Sequence, residues 1–468
     1  MRKFCAYILA ALTVLACAPA SPQKSGESAP IWPDYAGVCV PAIIAPLNFK
    51  VEGASRVEVN VNGERLCHGR YAAFPERRWR KLLEQCDSLS VEVCAKMSDG
   101  WKSFEPFSIY VSRDAIDPTL VYRRIDPGYE FYAKMGIYQR DLSSFKEKAV
   151  YLNDDPNAGC VNCHSFAKAD PSYMQLHLRG RNGGSLIKAG GDAAMLNMKN
   201  ELTLGTVYPY WHPEGRYIAY SVNDIKQSFH NIPGKILEVY DLASDVTVFD
   251  TENNELLVYP VLQDSARFET FPAFSADGRT LYFCSAPATN DFENVRYALC
   301  SIGFDAQNGK VDSLISNVWS AEGRSVSFPR PSYDGKYLMF TVSDFGNFSI
   351  WHPEADLYQM DLASGEVRPL EEINSPDTES YHSWSTGSKW IVFSSRRGDG
   401  RHTRLYISHL NPDGRWSKPF LLPQRNPDWD SELLQSYNIP EFCSGRAIVD
   451  GRLIRKEERQ GIKAKIYY

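Results

Sequence analysis

Outside its first 16 residues, no window of this 468-residue chain reaches the length of a membrane span, which excludes further membrane helices. Positive charge is also short: 51 Lys and Arg stand against 57 Asp and Glu, a net −6. Without a leader that carries Arg2 and Lys3 and no acid, the balance is 49 against 57, or −8. Nothing there calls for nucleic acid as a partner. Charged residues make up only 23% against 43% hydrophobic, so a wholly disordered chain is ruled out and a sizeable core is affordable. The length suits about three average domains, though one large all-β unit can absorb most of it. What abounds is aromatic and turn-forming: 26 Tyr, 23 Phe, 10 Trp, 31 Gly and 28 Pro predict an all-β protein of short strands and tight turns.

Met1-Arg2-Lys3 followed by the apolar stretch Phe4 to Ala16 reads as an export signal over residues 1–16. Val14-Leu15-Ala16-Cys17 resembles a lipobox, which makes Cys17 the lipidated first residue of the mature protein; cleavage near Ala18-Pro19-Ala20 would instead release it. Residues 17–30, rich in Ser, Gly and Pro, predict a flexible tether. The expected location is the cell envelope of a Gram-negative bacterium, anchored to a membrane by the N-terminal lipid on the periplasmic side.

Residues 31–113 predict an immunoglobulin- or fibronectin-like β-sandwich: Arg56 to Val61 alternates strictly, Asn62-Gly63 is a hairpin turn, and Ser88 to Ala95 and Phe104 to Val111 alternate again. Trp79, Leu82 and Leu83 at helical spacing predict a short helix within Phe74 to Gln85. Cys39, Cys67, Cys86 and Cys94 can form two disulfides in an oxidising compartment, with the pairing open.

From residue 118 to 468 the chain repeats itself. YPYWHPEGRYIAYS from Tyr208, FPAFSADGRTLYFCS from Phe271, FPRPSYDGKYLMFTV from Phe328 and YHSWSTGSKWIVFSS from Tyr381 each read as aromatic strand, Gly-containing turn and apolar strand. Third strands follow at Ile236, Ala298, Asp356 and Arg404, and the turn glycines Gly215, Gly278, Gly335 and Gly387 mark the period of a β-propeller. The S-x-D-G turn–strand unit resembles the WD-repeat-like units of TolB-like propellers, many of them exported bacterial proteins. Carried backwards, the template makes Cys160 to Ala189 a degenerate first blade, before the blades at Tyr208, Phe271, Phe328 and Tyr381. A sixth is expected to close the ring by pairing Tyr437 to Leu453 with Tyr129 to Arg140. Serine-hydrolase propellers are a poor match, because the G-x-S-x-G elbow and an α/β domain are both missing, and the D-G turns lack sialidase S-x-D-x-G spacing.

One motif carries chemistry. Cys160-Val161-Asn162-Cys163-His164 is C-x-x-C-H, a c-type haem attachment site in which two thiols add across the haem vinyls and His164 ligates the iron. A local disulfide, a redox C-x-x-C and a zinc site are the competing readings; no second Cys/His pair supports zinc. If Cys160 to Ser165 takes the place of Tyr208 to Pro213, the motif lies at the propeller axis. Loops on that face then hold Arg179, Arg181, Asn182, His230, His352, Arg396, Arg397 and His402, with His382 nearby: a His/Arg funnel suited to an anionic ligand, haem propionates included. Each of these histidines can equally be a packed loop residue. The distal haem ligand stays open, since His177 and Met174 point to opposite faces of one strand. Cys284 and Cys300 fall on neighbouring strands and can pair, while Cys443 has no evident partner.

The leading expectation is thus an envelope lipoprotein binding one haem c for electron transfer or redox sensing, with a redox or envelope protein as partner. A propeller scaffold binding a protein, peptide or glycan is the alternative, and a haem-dependent enzyme a third; no catalytic residue is identifiable.

Overall fold

The computed structural model describes residues 22–126, 134–153, 160–179, 183–198, 205–232, 235–447, 462–463 and 465–467. Cys17, Arg181 and Asn182 lie outside them.

The N-terminal unit is a β-sandwich. Its larger layer is a seven-stranded sheet in which Ser88–Met97 is central: Arg56–Val61 pairs along one edge, and Gly100–Glu105 and Phe107–Ser112 share the other. The alternation expected of Arg56–Val61 holds, with Val57, Val59 and Val61 all buried. Helix Glu76–Gln85 buries Trp79 and Leu83, and the Trp79 indole donates to the Ile44 carbonyl at 3.1 Å. The expected tether is in part a strand, because Gln23–Ser28 pairs parallel with Gly100–Glu105. The two expected disulfides are not formed: Cys39, Cys67, Cys86 and Cys94 are free. Cys67 sits opposite Val59 and Cys94 opposite Glu58, so a whole strand separates them.

Six sheets follow in a ring, each with four principal strands, and make a six-bladed propeller. Numbered as in the sequence, blade 1 runs from Val161–Ala167 to Ala193–Asn197, and blade 2 from Thr206–Trp211 to Glu255–Leu257. Blades 3, 4 and 5 begin at Arg267–Phe274, Ser325–Pro331 and Glu379–Trp384. Blade 6 closes the ring with strands from both ends of the domain, as expected, but with other partners. Ser436–Cys443 pairs with Thr119–Ile125, and Met135–Asp141 lies one strand further out. The final strands, Ile462–Lys463 and Lys465–Tyr467, add in parallel to the outer edges of blades 1 and 2. A shared core joins sandwich to propeller, with Trp79, Phe49 and Val91 in one cluster with Trp390, Leu405 and Phe420. Asp117 fixes the joint by accepting from Ser385 and Thr386 of blade 5.

The D-G turns explain the repeat. Ser275 Oγ donates to Asp277 Oδ1 at 2.6 Å and Ser332 Oγ to Asp334 Oδ1 at 2.7 Å, while Gly278 and Gly335 take φ of 74° and 70°. In blade 5 the left-handed position belongs to Ser388 at φ 54°, one residue after the expected Gly387. Blade 2 departs most from the period. Its strands Tyr217–Ile232 and Lys235–Asp250 have 16 residues each, against 7 and 6 for Tyr337–Ser343 and Asp356–Asp361 in blade 4. They leave the blade as a long two-stranded arm.

Candidate functional site

Every innermost strand carries a bulge at the axis. The pairing register slips by one residue at 207/210, 270/273, 327/330, 380/382 and 121/123 with its partners, and again at 161/164. Five of the bulged residues, Tyr208, Phe271, Phe328, Tyr381 and Ile439, have φ between 40° and 54°. That conformation is costly for bulky side chains, and here it aims each of them inward. Ring centroids lie 4.5 Å apart for Tyr208–Phe271, 4.1 Å for Phe271–Phe328 and 4.9 Å for Phe328–Tyr381, so the aromatics form a plug across the channel. In blade 1 the matching residue is Asn162, the residue before the second cysteine. The motif is therefore in the axial strand, as expected, but displaced by two residues: Asn162 and not Cys160 stands level with Tyr208, and Cys163 and not Val161 with Pro209.

On one side of the plug a funnel of about 630 Å³ opens, within the usual range for a small-molecule site. Cys160, Asn162 and Cys163 line it, as do Arg123, Arg179, Arg396 and Arg401. Its apolar wall includes Ile236, Leu237 and Val239 from the arm, Ile350 and Trp351 from blade 4, and Leu434 and Ile439 from the closing segment. Five blades contribute. Cys160 is exposed and Cys163 buried, and both thiols are free.

On the other side is an axial cavity of only about 20 Å³, bounded by Cys163, His164, Tyr208, Arg330, Tyr381, His382 and Glu441. It holds unusual polar groups. Neither ring nitrogen of His164 or of His382 has a hydrogen-bond partner of ordinary geometry, and Glu441 Oε2 has none. Burial pushes His164 down to about 3, with the Arg123 charge adding to the effect despite the Val121 backbone. His382 is likewise held at about 3 by burial and by Arg330. Burial lifts Glu441 to about 8, against the pull of Arg330. Cys160 thus lies on the funnel side and His164 on the side of the axial cavity, while Cys163 borders both.

Other expected site residues are placed differently from one another. Arg396 lines the funnel with 1% exposure, its guanidinium 4.4 Å from the Trp351 ring centroid. Arg397 does not: it binds Glu379 Oε1 at 2.8 Å and packs over Tyr406, a structural role inside blade 5. His352 lies behind the funnel wall, 2.9 Å from Glu238 of the arm and 3.0 Å from Glu354. His230 is on the arm and is not among the lining residues. His402 lines the mouth and pairs with Asp399 at 2.7 Å. His177 meets Ser185 at 3.1 Å. Cys284 faces Leu299 and Cys300 faces Phe283, so the two thiols point to opposite faces of one sheet and do not pair. Arg123 was missed from the sequence, because its closeness to the motif depends on ring closure between blades 6 and 1. Among the described residues no group of three metal-ligating side chains is arranged to hold a metal ion.

No family model matches the chain, and no curated protein matches it. Among solved structures, a putative TolB from Agrobacterium tumefaciens is similar over 69% of this chain and 98% of its own, at 14% identity and a TM-score of 0.40. An oligogalacturonate lyase in complex with manganese is similar over 64% of this chain and 78% of its own, at 15% identity and 0.38. A puromycin-hydrolyzing peptidase from Mycobacterium tuberculosis is similar over 86% of this chain and 57% of its own, at 11% identity and 0.38. The six blades stand on their own strand order. These likenesses say nothing of activity.

Proposed function

We propose that this protein is an exported, lipid-anchored propeller that carries one c-type haem in its axial funnel. The observation that carries the reading is that both cysteines of one Cys-x-x-Cys line a single cavity of about 630 Å³ with apolar walls and several arginines. Cys160 and Cys163 would hold the macrocycle by thioether bonds, and Arg179, Arg396 and Arg401 would take the propionates by charge-assisted hydrogen bonds. The bound group supplies reversible one-electron transfer. Apolar residues of the arm and the plug would shield the bound group from water, which suits an electron carrier or redox sensor of the envelope. His164 is buried and held neutral, which an iron ligand requires, but its ring lies below the plug. Ligation by His164 therefore requires the bulged residues Asn162 to His164 to turn toward the funnel. The export leader and Cys17 supply the compartment in which such attachment takes place.

The position of His164 also favours a second reading, a non-enzymatic scaffold whose funnel binds an anionic partner while Cys160 and Cys163 serve as a thiol pair. The test is covalent attachment: protein made in a host competent for cytochrome c maturation is examined for haem that survives acid–acetone extraction.

A further inference from the structure

Arg123, on blade 6, is 9% exposed and lines the funnel. Its Nη1 donates to Asn162 Oδ1 at 2.5 Å, and its Nε is buried with no hydrogen-bond partner. Among the described residues no carboxylate lies within ion-pairing distance of it; Asp126, the acidic group in the funnel lining, accepts instead from Lys134 and Gln435. Burying a cation without a counter-charge is expensive, and a site built this way favours an anion that supplies one. The groups around it decide which anion. Tyr208, Tyr381 and Ile439 of the plug border the same space, with Val239 and Ile350 beyond. A strongly hydrated ion gains little from such walls, whereas a planar carboxylate attached to an apolar body pairs with the guanidinium and buries its body against the rings.

We infer that the floor of the funnel is an oxyanion subsite in which Arg123 binds the carboxylate of an apolar or aromatic acid. The subsite needs no haem, so its test is separate from that of the preceding reading. Full-length protein is made in a host without cytochrome c maturation, and benzoate is titrated by calorimetry. Saturable binding is expected, weakened about tenfold or more by Arg123→Gln, which removes a charge-assisted pair, and largely kept by Arg123→Lys. Asn162→Asp guards against misfolding: nearly the same shape, it gives Arg123 an internal carboxylate and should raise Tm while abolishing benzoate binding. Arg65→Gln, an exposed sandwich residue paired with Glu58, should change nothing. No saturable binding by the wild type, or binding that survives in Asn162→Asp, overturns the proposal.

Discussion

Glu238 of the blade 2 arm and His352 of blade 4 meet at 2.9 Å, with side chains only 2% and 3% exposed, so the arm is pinned past blade 3 onto the blade beyond it. Asp241 reinforces the hold by accepting from Tyr297 of blade 3 at 2.6 Å and from Asn347 of blade 4 at 2.5 Å. Burial alone would depress His352, but Glu238 and Glu354 outweigh it and raise it to about 9. A histidine raised above its ordinary 6.5 contributes stability that is complete below that pH and is lost as pH climbs through about 9. Glu238→Gln should cost about 1–2 kcal/mol at pH 7, because His352 keeps Glu354 as a partner, and should flatten the decline toward pH 9. Urea denaturation at the two pH values reads the first effect. Faster hydrogen exchange confined to Lys235–Asp250 reads the loosened arm.

The axial cavity predicts a pH dependence of the same direction, from a carboxyl and over a lower pH window. A group lifted to about 8 by burial is held protonated in the fold, and stability falls as pH rises from about 4.5 to 8. Glu441→Gln keeps the shape and removes the cost of ionisation. At pH 9 the variant should exceed the wild type by more than about 1 kcal/mol, and at pH 4 the two should be nearly equal.

The plug is expected to be structural. Phe328 is buried and touches Phe271, Tyr381 and Tyr208. Phe328→Ala should therefore cost about 3–5 kcal/mol, measured by thermal or denaturant unfolding. A cost under about 1 kcal/mol would mean the rings do not pack as a unit.

At the N-terminus, Cys17→Ser should shift the protein from the membrane to the soluble periplasmic fraction without altering its Tm. Unchanged membrane association would dismiss Cys17 as the anchor.

The propeller was legible because its signals are local. Each Ser-x-Asp-Gly turn satisfies itself through the aspartate, and the aromatic–Pro pairs Tyr208-Pro209, Phe271-Pro272 and Phe328-Pro329 mark three of the axial bulges. What failed was non-local. The partner of Ser436–Cys443 lies more than 300 residues away, and hydrophobic alternation alone cannot choose between Thr119–Ile125 and Met135–Asp141. The bulge at Asn162 adds one residue to a period of two, which concealed that His164 faces away from Cys160. The arm was read as a loop carrying His230, because its 16-residue strands run far past the length of the corresponding strands in blade 4. The same list of funnel residues thus gained Arg123 and lost Arg397, since one depends on ring closure and the other on Glu379 within its own blade.

The central claim concerns what Cys160 and Cys163 are bonded to. Intact mass and visible spectroscopy of the wild type, purified from a host with cytochrome c maturation, should show one added haem and a Soret band that survives acid–acetone extraction. Cys160→Ser and Cys163→Ser should each weaken or abolish the attachment, and His164→Ala should alter the spectrum while leaving the mass unchanged. A colourless wild-type protein of unmodified polypeptide mass, with Cys160 and Cys163 as thiols or joined as a disulfide, would contradict the account.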